Sequence, residues 1–87
     1  MNKSICRTDA DGTKRWYLDN KLHRTDGPAV EYTDGDKHWY LYGKCHRTDG
    51  PAIEHADGYK RWYLDGLQID CKSQEEFERL LKLKAFW

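Results

Sequence analysis

Short apolar and aromatic runs recur along this chain at a fixed spacing, separated by polar turns. The run Trp-Tyr-Leu stands at residues 16–18, 39–41 and 62–64. Successive copies therefore begin 23 residues apart (39 minus 16). The turn dipeptide Asp-Gly recurs with the same offset at 11–12, 34–35 and 57–58. Self-similarity at a fixed period predicts a tandem array in which each unit buries its apolar face on its neighbours.

Each Asp-Gly lies between two strand-like runs and predicts a β-hairpin. Asp-Gly favours a two-residue type I′ loop, which needs positive φ at both central residues. Counted outwards from such a loop at 34–35, Val30 faces Trp39, and Glu31 faces His38. The next hairpin repeats this pattern. We therefore expect one face of β-branched residues against tryptophan and one face of carboxylates against bases.

A second turn follows each Trp-Tyr-Leu run, where Asn20, Gly43 or Gly66 supplies positive φ. The chain then returns through a histidine and bends at Thr-Asp-Gly-Pro. Because proline cannot donate to a strand ladder, Pro28 and Pro51 are expected at strand starts or edges. These connections predict an antiparallel meander.

The third unit ends in a different way. At 69–74, where His-Arg-Thr-Asp-Gly-Pro would recur, the sequence reads Ile-Asp-Cys-Lys-Ser-Gln. Ser73 with Glu76 three places on is a capping box, and Phe77 with the leucines after it follows helical spacing. The helix is expected to cover the open end of the sheet. Docking into a groove of a partner is the alternative.

The predicted fold is mostly β with one C-terminal helix: a single-layer antiparallel β-meander of tandem 23-residue hairpin repeats capped by an amphipathic helix. We expect one repeat domain over residues 1–87. Within it, 1–12 forms a degenerate N-terminal strand, 13–72 forms the hairpin repeats and 73–86 forms the capping helix. An atypical first unit is expected at the end of an array.

Charge and composition narrow the classes of function. Lys+Arg and Asp+Glu both number 15, so no net charge attracts the chain to nucleic acid or anionic lipid. No run is long enough to span a membrane, and the N-terminus lacks the apolar segment of a signal peptide. We expect a cytoplasmic protein that binds no membrane. Three cysteines without CxxC spacing predict reduced thiols.

Histidine, arginine and aspartate occur together twice, at 23–28 and 46–51, which suggests site chemistry. An enzyme needs one convergent site, however, and copies two strand spacings apart lie about 10 Å from each other. That separation is too large for the two histidines to share a metal at about 2 Å from each. No phosphate loop, Ser-His-Asp set or HExxH is present. We therefore predict no enzyme, no metal and no cofactor.

The repeated motif is expected to serve the repeat turns. Its aspartates would form Asx-type turns, and its arginines would bond to a carboxylate or stack on a ring. The residues assigned this structural role are His23, Arg24, Asp26, Gly27, Pro28, His46, Arg47, Asp49, Gly50 and Pro51.

The 23-residue unit combines an aromatic run, a glycine turn, a lysine, a histidine and a second glycine turn, and in this it resembles the MORN repeat. The YwqK-type form of that repeat is the most similar. A tighter match is to His-Arg-x-Asp-Gly-Pro-Ala repeats in small proteins of bacteriophages and large DNA viruses, often ended by a Glu-Glu-Phe helix like that at 75–77. The resemblance spans roughly residues 11–80. It implies a single-layer sheet used as a protein-binding or scaffolding surface without recognised catalysis.

Adjacent tryptophan and tyrosine residues point to opposite faces of a strand, so one aromatic column lies on each side. An exposed aromatic column interleaved with arginine is typical of a binding surface. The residues expected to bind a partner on the sheet face are Trp16, Tyr17, Trp39, Tyr40, Trp62, Tyr63, Arg15, Lys37 and Arg61.

The expected function is protein binding. The viral resemblance implies a small phage-type protein that inhibits or redirects a host protein, for instance a defence nuclease. Single-stranded nucleic-acid binding through the same aromatic and arginine ladder is an alternative. A homo-oligomeric scaffold or homodimer, formed through the sheet edge at residues 3–7, is another.

Overall fold

The computed structural model describes residues 4–84, which form ten β-strands followed by one helix. In chain order these are β1 (Ile5–Thr8), β2 (Lys14–Leu18), β3 (Lys21–Leu22), β4 (Val30–Glu31), β5 (Lys37–His38), β6 (Tyr40–Leu41), β7 (Lys44–Cys45), β8 (Ile53–Glu54), β9 (Lys60–Leu64), β10 (Leu67–Ile69) and α1 (Gln74–Lys84). All the strand pairs are antiparallel. The prediction of a mostly β fold with one C-terminal helix is confirmed. Residues 85–86 of the predicted helix and residue 3 of the predicted edge lie outside the described residues.

Eight of the strands form one sheet in the order β1-β2-β4-β5-β8-β9-β10, with β3 beside β2. β6 and β7 form a separate two-stranded ladder. This ladder continues the line of β5 beyond Trp39, whose N–H donates to the carbonyl of Ala52 at 2.8 Å. The described chain measures 42 × 34 × 17 Å, so the sheet is a thin slab.

The Asp-Gly hairpins have loops one residue longer than the sequence predicts. Val30 pairs with His38 instead of Trp39, which leaves three residues, 33–35, in the loop. Gly35 has a positive φ of 102°, whereas a two-residue type I′ loop would require positive φ at the aspartate as well. The predicted register is therefore wrong by one residue in all three hairpins. The expected face of β-branched residues against tryptophan does not form.

The aspartate side chain explains the longer loop. In each hairpin its carboxylate accepts the backbone N–H of the residue two places on, at 3.0 Å. Such an Asx-type bond favours a turn in which only the following glycine is left-handed. A type I turn followed by a left-handed glycine is the usual three-residue hairpin loop.

Two-residue turns occur after the Trp-Tyr-Leu runs. Both residues have positive φ in each turn: 51° and 65° at 19–20, 50° and 82° at 42–43, and 49° and 83° at 65–66. The prediction of positive φ at Asn20, Gly43 and Gly66 is confirmed. These are the type I′ turns of the fold, and they match the right-handed twist of the strands that they join.

The register sorts the side chains onto two faces, because directly opposed residues share a face and neighbours along a strand alternate. The tryptophan face carries Trp16, Trp39, Trp62, Leu18, Leu41 and Leu64, with a charged row of Lys14, Glu31, Lys37, Glu54 and Lys60. The tyrosine face carries Tyr17, Tyr40, Tyr63, Arg7, Arg15, Arg61, Val30, His38 and Ile53.

Helix α1 packs on the tryptophan face at the C-terminal end of the array. Phe77 is 0% exposed and forms the core cluster with Trp62 and Leu64. Ser73 Oγ accepts the N–H of Glu76 at 3.1 Å, which is the Ser73 half of the predicted capping box. The helix therefore covers the part of the sheet that no further repeat covers.

Candidate binding surfaces

The nine residues expected to bind a partner lie on two faces. The tyrosine face holds Tyr17, Tyr40, Tyr63, Arg15 and Arg61, and the tryptophan face holds Trp16, Trp39, Trp62 and Lys37. The structure therefore presents two separate surfaces. Their surroundings differ, because residues 4–84 cover one face and leave the other open.

Arginine side chains cover the first two tryptophans. The Cζ atom of Arg24 lies 3.8 Å from the ring centroid of Trp16, and that of Arg47 lies 3.9 Å from the ring centroid of Trp39. This geometry gives a cation–π interaction in which a planar guanidinium shields the indole from water. The arginines thus act as covers of the sheet.

Each of these guanidinium groups is also held by three oxygen atoms, two from its own loop and one from the glutamate of the strand that follows. In the second repeat, Arg47 Nε donates to Asp49 Oδ1 at 2.9 Å, and its Nη1 donates to Pro51 O at 3.0 Å and to Glu54 Oε2 at 2.9 Å. The first repeat contains the same three bonds 23 residues earlier. The Arg24 guanidinium accordingly holds the pKa of the carboxyl group of Asp26 below its ordinary value.

Gly27 and Gly50 allow the loop backbone to approach these guanidinium groups. A Cβ atom at Gly50 would lie 2.6 Å from Arg47 Cζ, and one at Gly27 would lie 2.9 Å from Arg24 Cζ. Both distances are too short for real contacts. Sequence reasoning assigned these glycines to turns and missed the close approach, although a glycine three residues after each arginine was the available signal.

His23 and His46 connect successive repeats. His23 Nδ1 accepts the N–H of Tyr42 at 3.0 Å, and His46 Nδ1 accepts the N–H of Asp65 at 3.0 Å. Each histidine thus holds the type I′ turn of the following repeat. An Nδ1 atom that accepts a hydrogen bond has no lone pair left for a metal. No cluster of three or more His, Cys, Asp or Glu suited to a metal occurs within residues 4–84.

At the third tryptophan, helix α1 takes the place of the arginine. Asp70 stands where the arginine would recur. Trp62 Nε1 donates to Gln74 Oε1 at 2.8 Å, and the ring centroids of Trp62 and Phe77 are 6.4 Å apart. Gln74 Nε2 donates in turn to Thr48 O, at 3.1 Å. A glutamine and a phenylalanine therefore replace the arginine as the cover of this indole.

The tyrosine face has no helix or second sheet packed on it within residues 4–84. The three tyrosines of the column are half-buried in this sheet surface. Arginines lie over aromatic rings along the same face, with Cζ to centroid distances of 5.4 Å for Arg7 on Tyr17 and 5.1 Å for Arg61 on Tyr59. Arg61 Nε is buried and has no hydrogen-bond partner among the described residues.

Two histidines extend this ladder of aromatic rings and arginines on the tyrosine face. His38 lies between Tyr32, at a centroid distance of 5.1 Å, and His55, at 6.3 Å. Burial lowers the pKa of His38, and the charge of His55 adds to this effect. His55 Nδ1 lies 3.2 Å from Asp36 Oδ2. The face thus combines tyrosine hydroxyls, imidazoles and guanidinium groups.

The cysteines are unpaired, and the two less exposed ones are not activated. All three are free thiols: Cys6 is exposed, Cys71 is half-buried and Cys45 is buried. Burial raises the pKa of the Cys45 thiol to about 11 and also raises that of Cys71, so neither favours the thiolate.

Within residues 4–84, no helix is sufficiently long and apolar to cross a membrane. Comparison with protein-family models, curated proteins and solved structures found no match to this chain. The MORN-like resemblance therefore rests on the repeated residues alone.

Proposed function

We propose that this chain is a non-enzymatic module that binds another protein through its tyrosine face. The observation that carries the proposal is a continuous ladder of tyrosine, histidine and arginine on a face that no element of residues 4–84 covers. Tyrosine and arginine dominate binding hot spots because each buries a large area and keeps polar atoms for directed bonds.

The size of the sheet suits this role. A standard interface buries about 800 Å² on each partner. The 42 × 34 Å outline of the slab corresponds to an area of about 1,400 Å², so one face can hold an interface of ordinary size. Pockets for single ligands are not required for this kind of contact.

The charge of the face favours an acidic partner. Asp9 pairs with Arg15, whereas Arg7 and Arg61 form no salt bridge within residues 4–84. Desolvating these cations costs least when a carboxylate of the partner meets them. The viral resemblance suggests a host protein in this role, such as a defence nuclease.

The test is affinity capture from a nuclease-treated lysate of the natural host, with mass spectrometry of the eluate. The tyrosine-face variant combines Arg7→Glu with Tyr59→Ser, two changes at exposed positions. Lys82→Glu, on the exposed side of α1, is the matched control. We expect one stoichiometric protein that the wild type and the control retain and the tyrosine-face variant loses. Equal capture by all three proteins, or no capture by the wild type, would refute the proposal.

Single-stranded nucleic-acid binding is the second candidate, favoured by the arginine-covered rings on an open face. Aromatic stacking of bases with arginine contacts predicts binding that weakens steeply with salt. Titration of a fluorescent 20-residue deoxythymidine oligonucleotide between 50 and 200 mM salt, about the range in which such contacts are screened, tests it. An absence of binding, or an affinity that does not change with salt, would exclude this candidate.

Self-association is the third candidate. All four residues of the edge strand β1 are exposed, and Ile5 is 65% exposed. An open edge strand is a template for pairing with another chain. Light scattering that gives the monomer mass at high concentration would argue against it.

A further inference from the structure

The first strand of the sheet, β1, is an open edge. It pairs with β2 on one side, and no strand or helix of residues 4–84 lies on its other side. All its residues are exposed, and its successive pairs with β2 contain no bulge. β1 also contains no proline or lysine, which protect edge strands in many proteins. The edge is therefore able to accept another strand.

The hydrogen bonds of β2 show which backbone groups of β1 point outwards. The N–H of Trp16 donates to Ala29 O at 2.9 Å, and its C=O accepts the N–H of His23 at 3.0 Å, so both groups of Trp16 face away from β1. Cys6, which lies opposite Trp16, is thus in a non-hydrogen-bonded pair. Bonded and non-bonded pairs alternate in an antiparallel ladder, so Thr8 is in the same position as Cys6. The N–H and C=O groups of both residues point to the open side.

The side chains of β1 determine what an added strand should carry. Ile5 and Arg7 stand on the tyrosine face, and Ile5 is 65% exposed. Arg7 lies directly opposite Arg15, a like charge, and Arg15 already pairs with Asp9, whereas Arg7 forms no salt bridge within residues 4–84. A carboxylate opposite Arg7 on the open side would supply its counter-charge, and an apolar side chain opposite Ile5 would cover that residue.

A second copy of the chain does not supply this carboxylate from its own β1. In the symmetric antiparallel register that bonds Cys6 of one copy to Thr8 of the other, Arg7 lies opposite Arg7, and opposed like charges destabilise a strand pair. A register centred on Cys6 brings no acid to Arg7 either. A register centred on Thr8 brings Asp9, but Asp9 already pairs with Arg15 and lies beyond the end of β1. The charge of the edge therefore favours a segment of another protein.

We propose that the partner protein contributes an extended acidic segment, which joins the sheet as an antiparallel strand beside β1. Antiparallel pairing is the more stable form, and in it both backbone groups of Thr8 and of Cys6 form hydrogen bonds with the added strand. The segment carries an acid opposite Arg7 and, two positions later, an apolar residue opposite Ile5. Both side chains extend the tyrosine face, so this inference rests on the proposed function and identifies the part of the partner that meets β1.

The test uses the full chain labelled with nitrogen-15 and the synthetic peptide acetyl-Thr-Glu-Thr-Ile-Thr-amide. In the proposed register its first residue lies opposite Thr8, its glutamate opposite Arg7 and its isoleucine opposite Ile5. The readout is the NMR signal of each backbone N–H. We expect saturable shifts of the Cys6 and Thr8 signals, with a dissociation constant of about 0.3–3 mM because few bonds form and each contributes little in water. The signals of β10, at the other edge of the sheet, should stay in place.

Two N-methylated peptides form a matched pair of controls. Methylation of the third peptide residue removes the N–H that donates to Cys6 O, so binding should weaken about tenfold or more. Methylation of the glutamate blocks an N–H that points away from β1, so the affinity should change about threefold or less. Neither comparison alters the protein, and neither depends on the folding of a variant.

The charge preference is tested on both molecules. Replacing the glutamate of the peptide with lysine should weaken binding to the wild type about two- to tenfold, because a favourable cross-strand pair becomes a repulsive one. In the protein variant Arg7→Glu the preference should reverse, so that the lysine peptide binds more tightly than the glutamate peptide.

Four results would overturn the proposal. One is no shift of the Cys6 and Thr8 signals up to about 10 mM peptide, several times the expected dissociation constant. Equal weakening by the two methylations is another, and a lack of preference for glutamate over lysine is the third. The fourth is a shift of the same signals when the protein concentration is raised without peptide, which would assign the edge to a second copy.

Affinity capture separates this proposal from the proposed function. Thr8→Pro removes the outward N–H and keeps the bonds between β1 and β2, and slow hydrogen exchange of the Arg7 N–H would show that this ladder is intact. We expect this variant to lose the captured protein. A protein that Thr8→Pro retains, but that Arg7→Glu with Tyr59→Ser loses, would overturn the strand proposal and leave the proposed function intact. Capture of no protein, together with the expected peptide binding, would refute the proposed function and leave the binding site at β1.

Discussion

The arginine of each loop and the glycine three residues later form a coupled pair, and Gly50→Ala tests the coupling. The new Cβ atom would lie 2.6 Å from Arg47 Cζ. Because φ at Gly50 is not in the left-handed region, alanine fits the backbone itself. The guanidinium must therefore leave Trp39, and the cost is the loss of its contacts.

The magnitude follows from those contacts. The stacking on Trp39 is worth about 0.5–1 kcal/mol. The bonds to Glu54 and Pro51 O are partly buried and contribute about 1 kcal/mol together after screening by solvent. The bond to Asp49, 84% exposed, adds little. We expect Gly50→Ala to lower the free energy of unfolding by about 2 kcal/mol, out of about 4–13 kcal/mol for a chain of this length.

Urea unfolding followed by tryptophan fluorescence measures this loss. With a slope of about 1 kcal/mol per molar urea, the midpoint should fall by about 2 M. Arg47→Met removes the polar contacts beforehand and keeps a flexible side chain. In that background Gly50→Ala should cost less than about 0.5 kcal/mol, because no held guanidinium remains to be displaced.

Gly58→Ala is the matched control. Gly58 has a φ of 95°, and a Cβ atom there meets nothing within 4 Å, so its cost is backbone strain alone. That cost, about 1 kcal/mol, should be the same with Arg47 or with methionine at position 47. If Gly50→Ala destabilises both backgrounds equally, the close approach has no energetic role and our reasoning is refuted.

Three further predictions concern single side chains. Phe77→Ala should destabilise by about 3–5 kcal/mol, since the ring is fully buried, whereas Leu83→Ala, at a position 54% exposed, should change the free energy of unfolding by less than about 0.5 kcal/mol in urea titrations. Iodoacetamide at pH 8 should label Cys6 rapidly and Cys45 only as the protein unfolds, because burial raises the Cys45 pKa to about 11. Mass spectrometry of the labelled peptides measures both rates, and comparable labelling of Cys6 and Cys45 would contradict this. Burial lowers the folded-state pKa of His38 below its ordinary 6.5, so the unfolded chain takes up the proton first and stability should decline as pH falls below about 6.5. His38→Gln should reduce the slope of the urea midpoint against pH, measured from about pH 7.5 to 5. An unchanged slope would contradict the prediction.

The local signals in this sequence were sufficient for the elements but not for the register. Asn20, Gly43 and Gly66 identify the type I′ turns, and Ser73 identifies the start of α1. Asp-Gly is compatible with loops of two and of three residues, and the side-chain bond of the aspartate decides between them. A slip of one residue exchanges the faces of a strand. For this reason the pairing of Val30 with tryptophan was wrong although the hairpin was right.

The covering of the tryptophan face could not be derived from local patterns. Alternation along the strand places tryptophan and tyrosine on opposite faces, but it does not say which column the chain protects. That depends on Arg24 and Arg47, which come from loops eight residues beyond the rings that they cover (24 minus 16). The cleft between residues 24–27 and 46–49 likewise exists only once two repeats stand side by side.

Each histidine accepts a hydrogen bond from the turn of the following repeat, and this bond determines how repeats can be added to the array. His23 and His46 offer the same acceptor to turns of different sequence, Tyr42-Gly43 and Asp65-Gly66. An added block of 23 residues would therefore have a histidine acceptor in the repeat before it and a turn N–H donor in the repeat after it. It would lengthen the sheet by two strands, about 10 Å. At Ile69 the acceptor is gone, and residues 70–74 also depart from the repeated motif, so the array ends there. Duplication of a repeat within the gene would thus lengthen the sheet in fixed steps and leave its first strand and its terminal helix unchanged.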